Sequence, residues 1–306
     1  MRSPSFWRAS LLLCAGALGL GACGAGTPEA ATASGASDGS RQFAHAKAGA
    51  LLYVSDLGAN AVDVFTYPSA KLVGKLTGFG SVAGLCSDKA GDVFVVDEAG
   101  PVDVYAHGGS SPIRKLTASG APYGCSVDPV SGDLALTQLS SYLYGAIAIY
   151  PKAQGKPQTY NNDTIDSTYF CGYDENGNLL IDGVDRSAGF ILIELPKGAR
   201  SLRILKFGKT VQSPGGVQWD GKYFAVGDRG GGVIYRASDT GNVVATVKLG
   251  NGTNVEQFWI AGSTLIGPSA QSKGTVPFWA YPAGGAPVKT LSGFYYPFGA
   301  TVSVAR

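Results

Sequence analysis

Histidine is nearly missing from these 306 residues: His45 and His107 are the two, too few for an imidazole-rich metal cluster. Methionine occurs once, as the initiator. Charged residues make up 15 % against 45 % apolar, which excludes a disordered chain and a coiled coil alike. Lys and Arg number 24 and Asp and Glu 22, a net charge of +2, so no surplus of one sign argues for nucleic acid as a partner. Helical periodicity is sustained nowhere, which speaks against helix bundles. In excess is glycine, with 45 residues, roughly twice ordinary usage. The length suits two average domains or one large all-β domain, and this composition favours the second.

Residues 1–22 carry Arg2 and Arg8, no acid, and an apolar run from Ala9 to Leu20. A basic start followed by so short an apolar run reads as an export signal, too short for a permanent membrane span. The run ends in Leu20-Gly21-Ala22-Cys23, which resembles the lipobox of bacterial lipoproteins. That resemblance implies cleavage before Cys23 and acylation of its thiol and new amino group with palmitate-type chains. The mature protein would then sit on the extracytoplasmic side of a bacterial cell envelope, with the membrane as partner through lipidated Cys23. Two or three acyl chains anchor stably where one does not. Residues 23–48 are small, polar and aperiodic; they read as a flexible tether that holds residues 49–306 some 25–30 Å from the anchor, at roughly 5–6 Å × √n.

Beyond residue 48 one unit recurs. A short strand followed by a turn or proline appears as VDVFTYP (62–68), VDVYAHG (102–108), AIAIYPK (146–152), ILIELPK (191–197), GVIYRAS (232–238) and PFWAYPA (277–283). Tyr67, His107, Tyr150, Leu195, Ala237 and Tyr281 form one column at spacings of 40, 43, 45, 42 and 44 residues. A second frame, Asp then a Gly turn then an apolar strand, starts at Asp88, Asp128, Asp174 and Asp220. Four short strands per unit of this length is the signature of a propeller blade. The expected fold is therefore all-β, a six-bladed β-propeller. LLYVSD (51–56) supplies a second strand without a first, and FYYPFGATVSVA (294–305) supplies the missing one, so both ends of the domain close one blade. Closure removes open sheet edges.

Pro122-Tyr123-Gly124, Pro214-Gly215-Gly216 and Pro297-Phe298-Gly299, with the Asp-x-x-Gly-Asp and Val-x-Asp pieces, resemble six-bladed propellers of the NHL and gluconolactonase types. The resemblance implies architecture; the fold itself hosts hydrolases, lyases and binding platforms. Gluconolactonase-type enzymes hold an axial calcium with Glu, Asn and Asp. The corresponding places here hold Ser303, Val82, Tyr123, Phe170 and Gly216, none a glutamate, so neither metal nor other cofactor is expected. Asp174-Glu175-Asn176-Gly177-Asn178 looks like part of a calcium loop but lacks the twelfth-position Glu and flanking helices, and reads as an Asp-Gly turn. His107 stands in a column of tyrosines and is expected to pack as they do, leaving a Ser-His-Asp triad without a base.

Cys86, Cys125 and Cys171 follow the blade period and match no zinc spacing. They read as small buried apolar residues on first strands; an inter-strand disulfide is the other option, and an odd count leaves at least one thiol free. Strand direction places second-strand ends and first-strand starts on one face. Asp56, Asp97, Gln138, Asp182 and Asp228 therefore meet Tyr123, Tyr169 and Tyr296 around a funnel suited to a sugar, a peptide or a cationic ligand. A binding or interaction platform is the expected function. A gluconolactonase-type hydrolase and an envelope-assembly scaffold binding another envelope protein are the alternatives. The lipobox gives a direct test: wild-type protein should incorporate labelled fatty acid and partition into detergent, and Cys23→Ser should do neither.

Overall fold

The computed structural model describes residues 49–118, 120–139, 145–271 and 273–305; the expected leader, Cys23 and tether lie outside them. Among the described residues six antiparallel four-stranded sheets surround a common axis, a six-bladed β-propeller. Blade one takes its inner strand from the C-terminus (Pro297–Ser303) and continues outward through Leu51–Asp56, Ala61–Thr66 and Leu72–Thr77. Leu51 pairs with Ser303 and Tyr53 with Thr301, so the two ends of the domain close one blade as the repeat frames predict. The other inner strands, blades two to six, are Val82–Ser87, Ala121–Val127, Ile165–Tyr173, Pro214–Trp219 and Trp259–Ala261. Their second strands are Val93–Asp97, Leu134–Leu139, Leu179–Asp185, Phe224–Asp228 and Thr264–Ile266.

Each sheet is covered on both faces by its neighbours, which is why the inner and second strands are apolar runs rather than alternating patterns. In Leu51–Asp56, Leu51 and Tyr53 pack towards blade two while Leu52 and Val54 pack towards blade six. Outer strands have a solvated face and do alternate: Leu72 and Lys75 are exposed, Val73 and Leu76 buried. The repeated aspartates make the turn between inner and second strands. Asp88 Oδ1 accepts the amides of Ala90 and Asp92, both at 2.8 Å, and Gly91 supplies the positive φ of 88° that closes it.

Six inner strands can crowd one axis only if something small faces the neighbouring blade. A Cβ on Gly84 would stand 2.6 Å from the Tyr123 carbonyl oxygen, and one on Gly124 the same distance from that of Tyr169. Gly172, Gly216 and Gly299 are similarly confined. The ladder slips beside Gly84, Gly124 and Gly216, as a bulge does when it bends a strand. Hydroxyls repair the interruption: Thr137 Oγ1 accepts from the Gly124 amide at 2.7 Å and donates to the Tyr169 carbonyl of the next blade at 2.6 Å. Ser55 does the same between Gly299 and Ala83. Gly84→Ala and Gly124→Ala should each cost about 1–3 kcal/mol through overpacking, lowering the thermal midpoint by about 2–4 °C per kcal/mol. Gly208→Ala, with open space around it, should leave the melting curve unmoved.

Candidate functional site

At the end of the axis where second strands finish, the aspartates turn inward to the backbone. Asp56 accepts the amides of Tyr295 and Tyr296 at 2.8 and 2.7 Å. Asp97 takes those of Gly80, Ser81 and Ala99 at 2.7, 2.8 and 3.1 Å. Asp228 takes those of Gln212, Ser213 and Gly231 at 3.1, 3.2 and 3.0 Å. All three clamp the loop entering the inner strand of their own blade and are at most 6 % exposed. Gln138 is buried, its backbone amide donating to Thr168 Oγ1. Tyr123 stands against Phe170 and Phe298 at ring separations of 5.3 and 5.1 Å, an aromatic plug across the axis. Tyr169, edge-on to Tyr123 at 5.6 Å, and Tyr296 remain half-exposed.

Asp182 differs from its counterparts. Its Oδ1 accepts the Phe170 amide at 2.7 Å, while Oδ2 is buried without a partner among the described residues. Burial lifts its carboxyl well above the usual range, against the pull of the Phe170 amide and Arg229. Arg229, the residue after Asp228, forms an ion pair with Glu256. Glu256 is 4 % exposed, and the Tyr123 hydroxyl as well as Arg229 bonds to its carboxylate. Burial raises the Glu256 carboxyl and the arginine opposes the shift. Tyr123 and Tyr169 lie within electrostatic reach of both members of the pair, and half-buried Glu98 adds a further acid nearby.

Glu256 corrects the expectation that no glutamate stands where an inner strand begins. The other five inner strands carry a glycine at this place, three of them as Pro-x-Gly; Val255-Glu256-Gln257-Phe258 has neither residue and meets its sheet through an isolated bridge between Val255 and Ser269. Arg229 carried no signal in the repeat, because it follows an aspartate whose role is local. Gln257 next to it crosses Gly299 and exchanges two hydrogen bonds of 2.7 Å with the Leu85 backbone of blade two, tying the axis shut. Among the described residues no three His, Cys, Asp or Glu side chains converge as a metal site.

The cysteines correct a second expectation. Cys86 and Cys125 form a disulfide between adjacent inner strands, their Cα atoms 5.7 Å apart, rather than packing as separate apolar residues. Cys171 stays a free buried thiol, its pKa pushed up by burial and by Asp182. His107 Nδ1 stands 2.7 Å from Ser303 Oγ and its Nε2 3.0 Å from the Gly49 carbonyl; Ser303 is fully buried and its hydroxyl donates to the Gly91 carbonyl at 2.6 Å, so the pair serves packing. At the opposite end of the axis a cavity of about 360 Å³ lies among Tyr173, Trp219 and Trp259, with the disulfide in its wall. A second of about 500 Å³ adjoins it and shares Lys89, Pro129 and Trp259. The turn aspartates are at this end. Asp220 also accepts from Arg236 Nε at 2.6 Å and the Tyr281 hydroxyl at 2.7 Å.

No protein-family model matches the chain, and no curated protein does either. A solved structure of a protein of unknown function from Bacteroides caccae is similar with a TM-score of 0.63 at 13 % identity, covering 83 % of this chain and 99 % of that one. That likeness shows the fold alone.

Asp182 offers a pH test of the charged end. A carboxyl raised in the folded state contributes stability that is full below its unfolded pKa and is lost as pH rises through the folded value. From about pH 4 towards neutrality, wild-type protein should therefore lose stability relative to Asp182→Asn, which keeps an acceptor for the Phe170 amide. Denaturant midpoints at the two ends of that range check the sign.

Proposed function

We propose that the chain is a membrane-tethered, extracytoplasmic binding protein that takes a cationic, donor-rich ligand at the Glu256 end of its axis. One observation carries the choice of site: Asp182 keeps a buried oxygen without a partner among the described residues, and a second buried acid, Glu256, lies within electrostatic reach of it, with one arginine acting on both. A buried acceptor left unmatched is costly, so a ligand ammonium or guanidinium reaching it would be well compensated. Half-exposed Tyr169 and Tyr296 add aromatic faces that favour the same charge. The lipobox supports the tether, and the Cys86–Cys125 disulfide supports an oxidising compartment. The gluconolactonase-type reading needs an axial glutamate free for metal, whereas Glu256 is held by Arg229.

Breaking the pair from one side would orphan a buried charge at about 3–5 kcal/mol, so the informative variant replaces both, Arg229→Met with Glu256→Leu. Calorimetric titration of full-length protein in detergent with a lysine-rich oligopeptide should show salt-sensitive binding. The double variant should abolish it with little change in melting temperature, and Asp88→Ala at the opposite end should not affect it. Equal effects of the two replacements would refute the assignment.

A further inference from the structure

The cavity at the far end of the axis is a separate matter from the charged end, and its chemistry is different. Its volume of about 360 Å³ falls within the range of small-ligand sites. Three partly buried aromatic side chains, Tyr173, Trp219 and Trp259, come to it from three consecutive inner strands. Charge there is sparse. Lys89 faces two acids, Asp174 and Glu175, and the Asp174 oxygens are taken up by its own turn, accepting from the Asn176 and Asn178 amides and from Asn178 Nδ2. The Trp219 indole N–H is buried without an acceptor among the described residues, although indole is a donor that buried sites normally satisfy.

From these features we infer that the cavity is a saccharide seat for a neutral hexose or N-acetylhexosamine unit. Apolar ring faces stack on indole and phenol, and the hydroxyls and acetamido group meet the polar part of the lining at Ser87 and Ser126. An ammonium ligand would find the Asp174 oxygens already occupied by their turn, and an anion no excess of lysine. The adjoining space of about 500 Å³, continuous through Lys89, Pro129 and Trp259, accommodates further units of a chain.

The site contains its own reporters. Of the four tryptophans, Trp7 lies in the leader and Trp279 is fully buried with its N–H on the Gly250 carbonyl at 3.1 Å; Trp219 and Trp259 line the cavity. Full-length protein in detergent is titrated with linear tetramers of N-acetylglucosamine and, separately, of glucose. Binding of either should shift tryptophan emission and reduce acrylamide quenching, the difference between the two arms showing whether the acetamido group is read. By calorimetry, Trp259→Ala and Trp219→Tyr should each weaken binding about tenfold or more. Trp219→Tyr keeps an aromatic ring and so guards against simple misfolding. The Arg229→Met with Glu256→Leu variant should bind the tetramers as wild type does, which separates this site from the charged end. No spectral change with either tetramer up to about 10 mM, affinity indifferent to both tryptophan replacements, or loss of binding in the charged-end variant would each overturn the inference.

Discussion

Inner strands meeting around one axis must approach more closely than side chains allow, and glycine is what reconciles them. Gly84, Gly124, Gly172, Gly216 and Gly299 each face a neighbouring strand at distances that no Cβ could share. The cost is an interrupted ladder, with backbone amides lifted off their partners where the strand bulges. Thr137 and Ser55 resolve it, each taking the stranded amide and passing its own proton to the next blade. A local defect thus becomes a bond between blades. The Cys86–Cys125 disulfide joins adjacent blades in the same spirit, and the Gln257–Leu85 pair links blade six to blade two past blade one.

Closing the axis in this way decides what the two ends can do. Tyr123, Phe170 and Phe298 pack ring against ring between the inner strands, and Gln257 bonds to the Leu85 backbone beside them. Each end must be read from its own residues. At one, Asp56, Asp97 and Asp228 are spent on loop amides, so the acids that retain chemical capacity are Asp182 and Glu256. At the other, carboxylates are spent on turns, as at Asp88 and Asp174, and aromatic surface is what remains.

The architecture was legible because it repeats. The forty-odd-residue period is a statement about backbone geometry made six times over and the Asp-Gly turn one made four times, so errors in one copy are corrected by the others; the unmatched LLYVSD segment then shows how the ring closes. The site was legible only in part, for the opposite reason. Glu256 and Arg229 each occur once, in the blade whose inner strand departs most from the pattern and directly after an aspartate that looks repetitive. The column of strand-end acids, being periodic, pointed to the end of the axis where Asp182 and Glu256 lie while concealing that most of its members serve the fold. The disulfide escaped because sequence spacing of 39 residues records the blade period equally whether two thiols bond or merely pack.

This suggests how to separate fold from function in a propeller of this kind. A residue that recurs in the same blade position answers a need every blade has: a turn to cap, a loop to clamp, a neighbour to admit. A residue that breaks the column answers none of these, and if it is also buried and polar the fold carries a desolvation cost for it without structural return. Asp182 shows the distinction within a single column. It occupies a shared position, yet it accepts the Phe170 amide where Asp97 accepts three loop amides, its remaining oxygen has no partner among the described residues, and Arg229 and Glu256 lie within its electrostatic reach. The departure from its own repeat, rather than its conformity to it, marks it as part of a site.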